Sequence, residues 1–189
     1  MDSDDLRKAA EEGNPQAQFD MGLRHDNAAG AERNPAEAAR WYILAAEQGH
    51  ADAQLHLGLM YDTGDGVPKD ESAAAGWYRR SADQGNPDAQ VNLGLMYLNG
   101  TGLPKNDSAA LHCFRTAAAQ GHAKAQFNLG ALLYNGVGGE PDLAEVYQWW
   151  TLAALQGHPH AQQSLSTLSP QLTSEQLARA QEQVALRMH

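Results

Sequence analysis

Residues 51–86 read ADAQLHLGLMYDTGDGVPKDESAAAGWYRRSADQGN, and this stretch decides the fold. Its first part, from Ala51 to about Tyr61, spaces Ala53, Leu57 and Tyr61 on one arc of a helix at 100° per residue, with Gln54 and Gly58 beside them. Its last part, from about Glu71 to Gln84, carries Trp77, Tyr78, Ser81 and Ala82 on a facing side. Between them lies Gly64-Asp65-Gly66-Val67-Pro68-Lys69. Glycine takes the positive φ that ends a helix, and proline keeps one from continuing. Asp70 is placed to cap the second helix. The stretch is therefore a pair of helices, with Gly58 bare so that its partner can come close.

The same pattern returns along the chain. Ala-Gln recurs at Ala17-Gln18, Ala53-Gln54, Ala89-Gln90, Ala125-Gln126 and Ala161-Gln162, always 36 residues apart. Gly22, Gly58, Gly94 and Gly130 keep that register, as do Gln48-Gly49, Gln84-Gly85, Gln120-Gly121 and Gln156-Gly157. A fixed period of this length marks a stacked array of helix pairs. The units run 15–50, 51–86, 87–122 and 123–158. Asn34, Asn106 and Asp142 hold the place of Asp70; Trp41-Tyr42, Cys113-Phe114 and Trp149-Trp150 hold that of Trp77-Tyr78.

The ends depart from the pattern. Residues 5–14 match the last third of a unit and are expected to form a half-repeat cap. Residues 159–189 begin a fifth unit and diverge at Leu168-Ser169-Pro170. Thr173 and Gln176 are spaced as a capping box. Leu177, Ala180, Val184 and Met188 then follow helical spacing, which predicts an amphipathic helix over 174–187 covering the end of the stack. The whole of 1–189 reads as one repeat domain.

Composition narrows the function. The net charge is −10, and the 13 Lys and Arg residues are scattered, which argues against nucleic acid. No apolar run is long enough to span a membrane. The start, Met1-Asp2-Ser3-Asp4-Asp5, lacks the apolar core of a signal peptide, so a cytoplasmic protein is expected. The lone cysteine, Cys113, sits at a packing position and reads as a buried small hydrophobe.

Chemical motifs do not hold up under their own requirements. His50, His122 and His158, with Asn86 in the remaining copy, follow a helix-closing glycine, where a polar turn residue belongs. His158-Pro159-His160 resembles a metal pair, but the turn reading accounts for it. The loops Gly64-Asp65-Gly66, Gly100-Thr101-Gly102 and Gly136-Val137-Gly138 follow a helix, whereas a phosphate cradle follows a strand. A calcium loop starting at Asp62 would need Glu at residue 73, which is Ala73. No serine lies in a Gly-x-Ser-x-Gly context. No enzyme, metal or cofactor is expected.

The run Ala51, Ala53, Gln54, Leu57, Gly58, Tyr61, Gly64, Gly66, Val67, Asp70, Ala74, Trp77, Tyr78, Ala82, Gln84 and Gly85 resembles the Sel1-like repeat, a relative of the tetratricopeptide repeat, over roughly residues 5–168. The resemblance implies an all-α, α/α right-handed superhelical solenoid acting as scaffold or adaptor through its concave surface. The first unit departs from it, with His25 and Ala28 at the places of Tyr61 and Gly64, in a loop running Asn27 to Glu32; the fourth has Leu133 at the Tyr61 place. Cysteine-rich relatives linked to β-lactam binding or hydrolysis carry a cysteine pair per repeat, and this chain does not.

The side of each first helix away from the core arc is the candidate protein-binding surface: Phe19, Leu23 and Asp26; Asp52, Leu55, Leu59 and Asp62; Asp88, Val91, Leu95 and Asn99; Phe127, Tyr134 and Asn135. Leu23, Leu59 and Leu95 would form an apolar row flanked by Asp26, Asp52, Asp62 and Asp88. Such a row suits a protein or peptide with apolar anchors and basic flanks. The alternatives are that these leucines are half-buried between repeats, that the array is a small-ligand or nucleotide-responsive module, or that it is a hydrolase.

Overall fold

The computed structural model describes residues 3–27 and 33–187. Among them are eleven α-helices, one short 3-10 turn and no strand. The helices are α1 (Ser3–Glu11), α2 (Pro15–Asp26), α3 (Pro35–Glu47), α4 (Ala51–Thr63), α5 (Glu71–Asp83), α6 (Pro87–Asn99), α7 (Asp107–Ala119), α8 (Ala123–Tyr134), α9 (Leu143–Leu155), α10 (Ala161–Leu168) and α11 (Ser174–Arg187). The all-α, helix-pair architecture expected from the sequence is what is found. The chain divides into two compact parts, larger than the 36-residue repeats and hereafter unit 1, residues 1–105, and unit 2, residues 106–189.

The caps fall where the sequence put them. Asn34, Asp70 and Asn106 each accept a hydrogen bond from the backbone N–H three residues on, and Asp142 accepts from Ala144 and Glu145. Two of the three histidines after closing glycines cap as well: His50 Nδ1 accepts from Ala53 N, and His122 Nδ1 from Ala125 N, both at 3.2 Å, whereas His158 Nδ1 is buried without a partner among the described residues. Asn14 and Asn86 cap with an amide oxygen. An N-cap acceptor satisfies one of the helix's orphan donors, so the His50 and His122 imidazoles serve as turn residues, with Nδ1 unprotonated.

In unit 1 each second-helix tyrosine lies flat against a first-helix glycine. A Cβ on Gly58 would stand 2.6 Å from Tyr78 Cδ1 and Cε1. The core so closed contains Phe19, Ala38, Ala39, Tyr42, Ala45, Ala46, Ala53, Leu57 and Met60. In unit 2 the ring is Trp150, packed on Gly130 and buried with Val146, Leu165 and Leu168. Cys113 is buried there.

Two recurring motifs prove to be partners. Gln54 is 4% exposed; its Nε2 donates to the Ala46 carbonyl at 3.0 Å, and its Oε1 accepts from Gln84 Nε2 at 2.7 Å. Gln18 repeats this with Ala10 and Gln48, and Gln126 with Ala118 and Gln156. The Gln of these three Ala-Gln pairs thus ties the preceding repeat to the Gln-Gly that ends its own. The loop glycines also join repeats. Gly66 has φ 75°, and a Cβ there would overlap the Pro35 carbonyl at the start of α3.

α1 packs on α2 as a second helix does, with Ala10, Ala17 and Met21 in one cluster. α11 packs on α9 through Ala180 and Val184, and Arg179 Nη2 pairs with the Asp142 carboxylate at 2.6 Å. Its capping box is formed: Thr173 N donates to Gln176 Oε1 at 2.9 Å, and Gln176 N to Thr173 Oγ1 at 3.2 Å. Met188 and most of the first-unit loop, residues 28–32, lie outside the described residues.

Candidate functional site

The side of the first helices away from the core divides into residues the fold uses and residues it leaves open. Two expected surface residues belong to the first class. Phe19 is 8% exposed and Val91 2%. Each lies at the border of the apolar arc; Phe19 stacks on His50 of its own repeat at 4.7 Å between ring centroids and meets His56 of the next repeat edge-on at 5.5 Å. They are withdrawn from the binding surface. The core arc is correspondingly wider than periodicity suggested, taking in Met21, Met60, Met96 and Leu132, while Tyr61 is only half-buried.

Leu59, at 39%, is exposed. Leu23, Leu55 and Leu95 are half-buried. Asp52 is exposed and accepts from Asn86 Nδ2 at 2.9 Å. Asp88 and Asn99 are exposed and Asp62 half-buried. In unit 2, Phe127 is half-buried and stacks on His158 at 4.3 Å, Tyr134 lies 5.6 Å from the Trp150 ring, and Asn135 is the exposed C-cap of α8.

The open side of unit 1 holds a cavity of about 220 Å³, lined by Asp62, Tyr78, Asn92, Leu95, Met96, Asn99 and Thr101. α4 supplies Asp62 from its last turn, α6 supplies Asn92, Leu95, Met96 and Asn99, and Tyr78 reaches it from α5. Unit 2 has a cavity of about 330 Å³, lined by Tyr134, Trp150, His160, Gln163, Ser164, Thr167 and Leu168.

Electrostatics distinguish the tyrosines from ordinary core rings. Tyr42 and Tyr78 are buried, and each phenol is pushed well above its usual pKa, chiefly by burial and then by the carboxylate of Asp26 or Asp62. The Tyr78 hydroxyl has no hydrogen-bond partner among the described residues. Asp26 itself is engaged by Arg33, whose Nη2 donates to its Oδ1 at 2.6 Å and whose Nε donates to its carbonyl at 2.9 Å. The same guanidinium pairs with Asp65 and holds that carboxyl below its usual range.

The sequence reading missed Arg33 and the tyrosine hydroxyls. The available signal was an aspartate recurring 16 residues before a second-helix tyrosine, at Asp26–Tyr42 and Asp62–Tyr78. Among the described residues, no group of three or more His, Cys, Asp or Glu is gathered as a metal site, and no helix is long and apolar enough to cross a membrane.

The Sel1 repeat family model matches residues 15–50, 51–86, 87–122 and 123–158. Among solved structures, the chain is similar to a Sel1 repeat protein from Oxalobacter formigenes, with 34% identity over 86% of this chain and 72% of that one, at a TM-score of 0.77. It is also similar to a protective antigen of uropathogenic Escherichia coli that displays an SLR fold, with 29% identity, 97% of this chain, 47% of that one and a TM-score of 0.64. Helicobacter pylori cysteine rich protein B shares the fold at 24% identity, with 64% of this chain, 92% of that one and a TM-score of 0.52. No curated protein matches.

Proposed function

The chain belongs to the Sel1 repeat family, whose members are generally protein-interaction scaffolds, and on that premise we propose that it binds a partner protein or peptide along the first-helix side of unit 1 and performs no chemistry. One observation carries the reading. Leu23, Leu59 and Leu95 recur once per repeat on that side, and Leu59 stays 39% exposed while Leu23 and Leu95 are half-buried. Apolar side chains in register, with carboxylates at Asp52, Asp62 and Asp88, suit a segment with apolar anchors and basic flanks.

The test is selection of peptides from a random display library on the full chain, followed by affinity measurement with Leu59→Arg plus Leu95→Arg. A double variant with wild-type circular dichroism is expected to lose at least tenfold in affinity. Unchanged affinity in that folded variant sinks the reading.

A further inference from the structure

Unit 1 contains one constellation twice, 36 residues apart. The first copy is Asp26 in the last turn of α2, Tyr42 on α3 and His56 on α4; the second is Asp62, Tyr78 and Asn92. In the first copy the chain supplies its own guanidinium, since Arg33 grips both the carboxylate and the carbonyl of Asp26. In the second copy the place of Arg33 is held by Lys69. Its ammonium pairs with Glu71 at 2.8 Å, and Glu71 stands where the first copy has Pro35. The cation, the residue two positions on and the place of Asp65, which is Thr101, all differ, so the ammonium pairs with Glu71 and meets Asp62 only through its charge.

A second observation is independent of charge. Tyr78 is 1% exposed, and its hydroxyl has no hydrogen-bond partner among the described residues, yet the side chain forms part of the cavity wall. A buried hydroxyl without a partner is costly and calls for a reason. Packing is not the reason, because Phe114 fills the same place in the next copy without a hydroxyl and is fully buried.

The cavity lining brings together, from three helices, side chains able to accept hydrogen bonds: Asp62 on α4, Tyr78 on α5, and Asn92 and Asn99 on α6. Leu95 and Met96 offer an apolar wall for a methylene stem. A guanidinium presents five donors in a plane and gives up water more readily than an ammonium, so it suits acceptors spread over several directions. The net charge of −10 draws basic segments toward the molecule.

We propose that the Asp62–Tyr78 cavity is a subsite for an arginine side chain of the bound peptide, used as Asp26 uses Arg33. This rests on the reading of the first-helix side as a peptide-binding surface.

The test uses peptides selected on the full chain from a random display library. They are expected to share one arginine. Replacing it by citrulline, which keeps the shape and removes the charge, should weaken binding at least tenfold. Asp62→Asn should weaken it as much, and the two losses should not add, because both remove one contact. Tyr78→Phe should weaken binding several-fold with no fall in melting temperature. Peptides without a common arginine, full affinity with lysine in its place, or indifference to Asp62→Asn would each overturn the subsite. If Leu59→Arg, which lies outside the cavity lining, still abolishes binding of those peptides, the surface reading survives. Peptides indifferent to both sets of substitutions overturn the two together.

Discussion

The cavity of unit 1 is walled by Asp62, Tyr78, Asn92, Leu95 and Met96; that of unit 2 by Tyr134, Trp150, Ser164, Thr167 and Leu168, the residues 72 positions further on. The places are the same and the chemistry is not. In unit 2 the fold consumes the polar atoms. Trp150 Nε1 donates to the Phe127 carbonyl at 3.1 Å, and Tyr134 Oη accepts from Gln171 at 3.4 Å. In unit 1 the hydroxyl of Tyr78 has no such use. The repeat fixes where a cavity forms, because glycine and ring must touch. It leaves the lining free, because those side chains meet no obligatory neighbour.

The comparison breaks most completely if the shared closure is broken. Gly58→Leu places atoms within the Tyr78 ring, 2.6 Å away already at Cβ, and overpacking of this kind should cost about 3 kcal/mol or more. Urea unfolding followed by circular dichroism measures it; a loss below about 1 kcal/mol would show that the close approach is not required.

The ring substitutions test the two cavities directly. Trp150→Phe gives up a hydrogen bond made within the fold and should cost about 1.5 kcal/mol. Tyr78→Phe removes a hydroxyl the fold does not use and should leave the unfolding midpoint unchanged or raise it. A marked loss of stability from Tyr78→Phe would show that its hydroxyl is already satisfied.

The glutamine ties come next. Gln54→Ala removes two hydrogen bonds of a buried amide, while the Ala46 carbonyl keeps Gly49 N and Gln84 keeps the Arg80 carbonyl, and should cost about 1 kcal/mol. Gln162, at the same place in the divergent end, is exposed, and its replacement by Ala should stay within about 0.5 kcal/mol. Equal costs would mean that the buried network contributes nothing.

The smallest effect is one of pH. Burial lowers the pKa of His56 in unit 1 and of His158 in unit 2 below the ordinary 6.5; Asp26 and Asp52 pull the first upward without prevailing, and His160 and Lys124 lower the second further. The unfolded chain therefore takes up these protons first, so stability is full above about pH 6.5 and falls as pH drops below it toward the folded pKa values. His56→Asn, which gives the first copy the residue of the next two, should flatten the slope of unfolding midpoint against pH between 7.5 and 5.5. A steeper slope in that variant would reverse the assignment.

Much of the fold was legible because it is local. Proline after glycine, Asn or Asp before a helix, and the Thr173–Gln176 spacing act within four residues of themselves, and the structure caps and ends helices at those points. The candidate surface was legible only in part. Leu59 is open as expected, but Phe19 and Val91 are covered. These residues sit at the edge of the apolar arc, where helical spacing places a side chain between core and solvent and tertiary packing decides its fate.

The sequence by itself determined the period, the helix pairs, their caps and the helix at 174–187, since each follows from backbone preference and spacing along the chain. Tertiary structure decided what residues distant in sequence do to one another. It joined Gln84 to Gln54 across 30 residues and Arg33 to Asp65 across 32, and it buried the Tyr78 hydroxyl beside Asp62. The physical reason is that a repeat specifies its own helices, whereas burial and charge at a side chain are set by whichever neighbour packs against it.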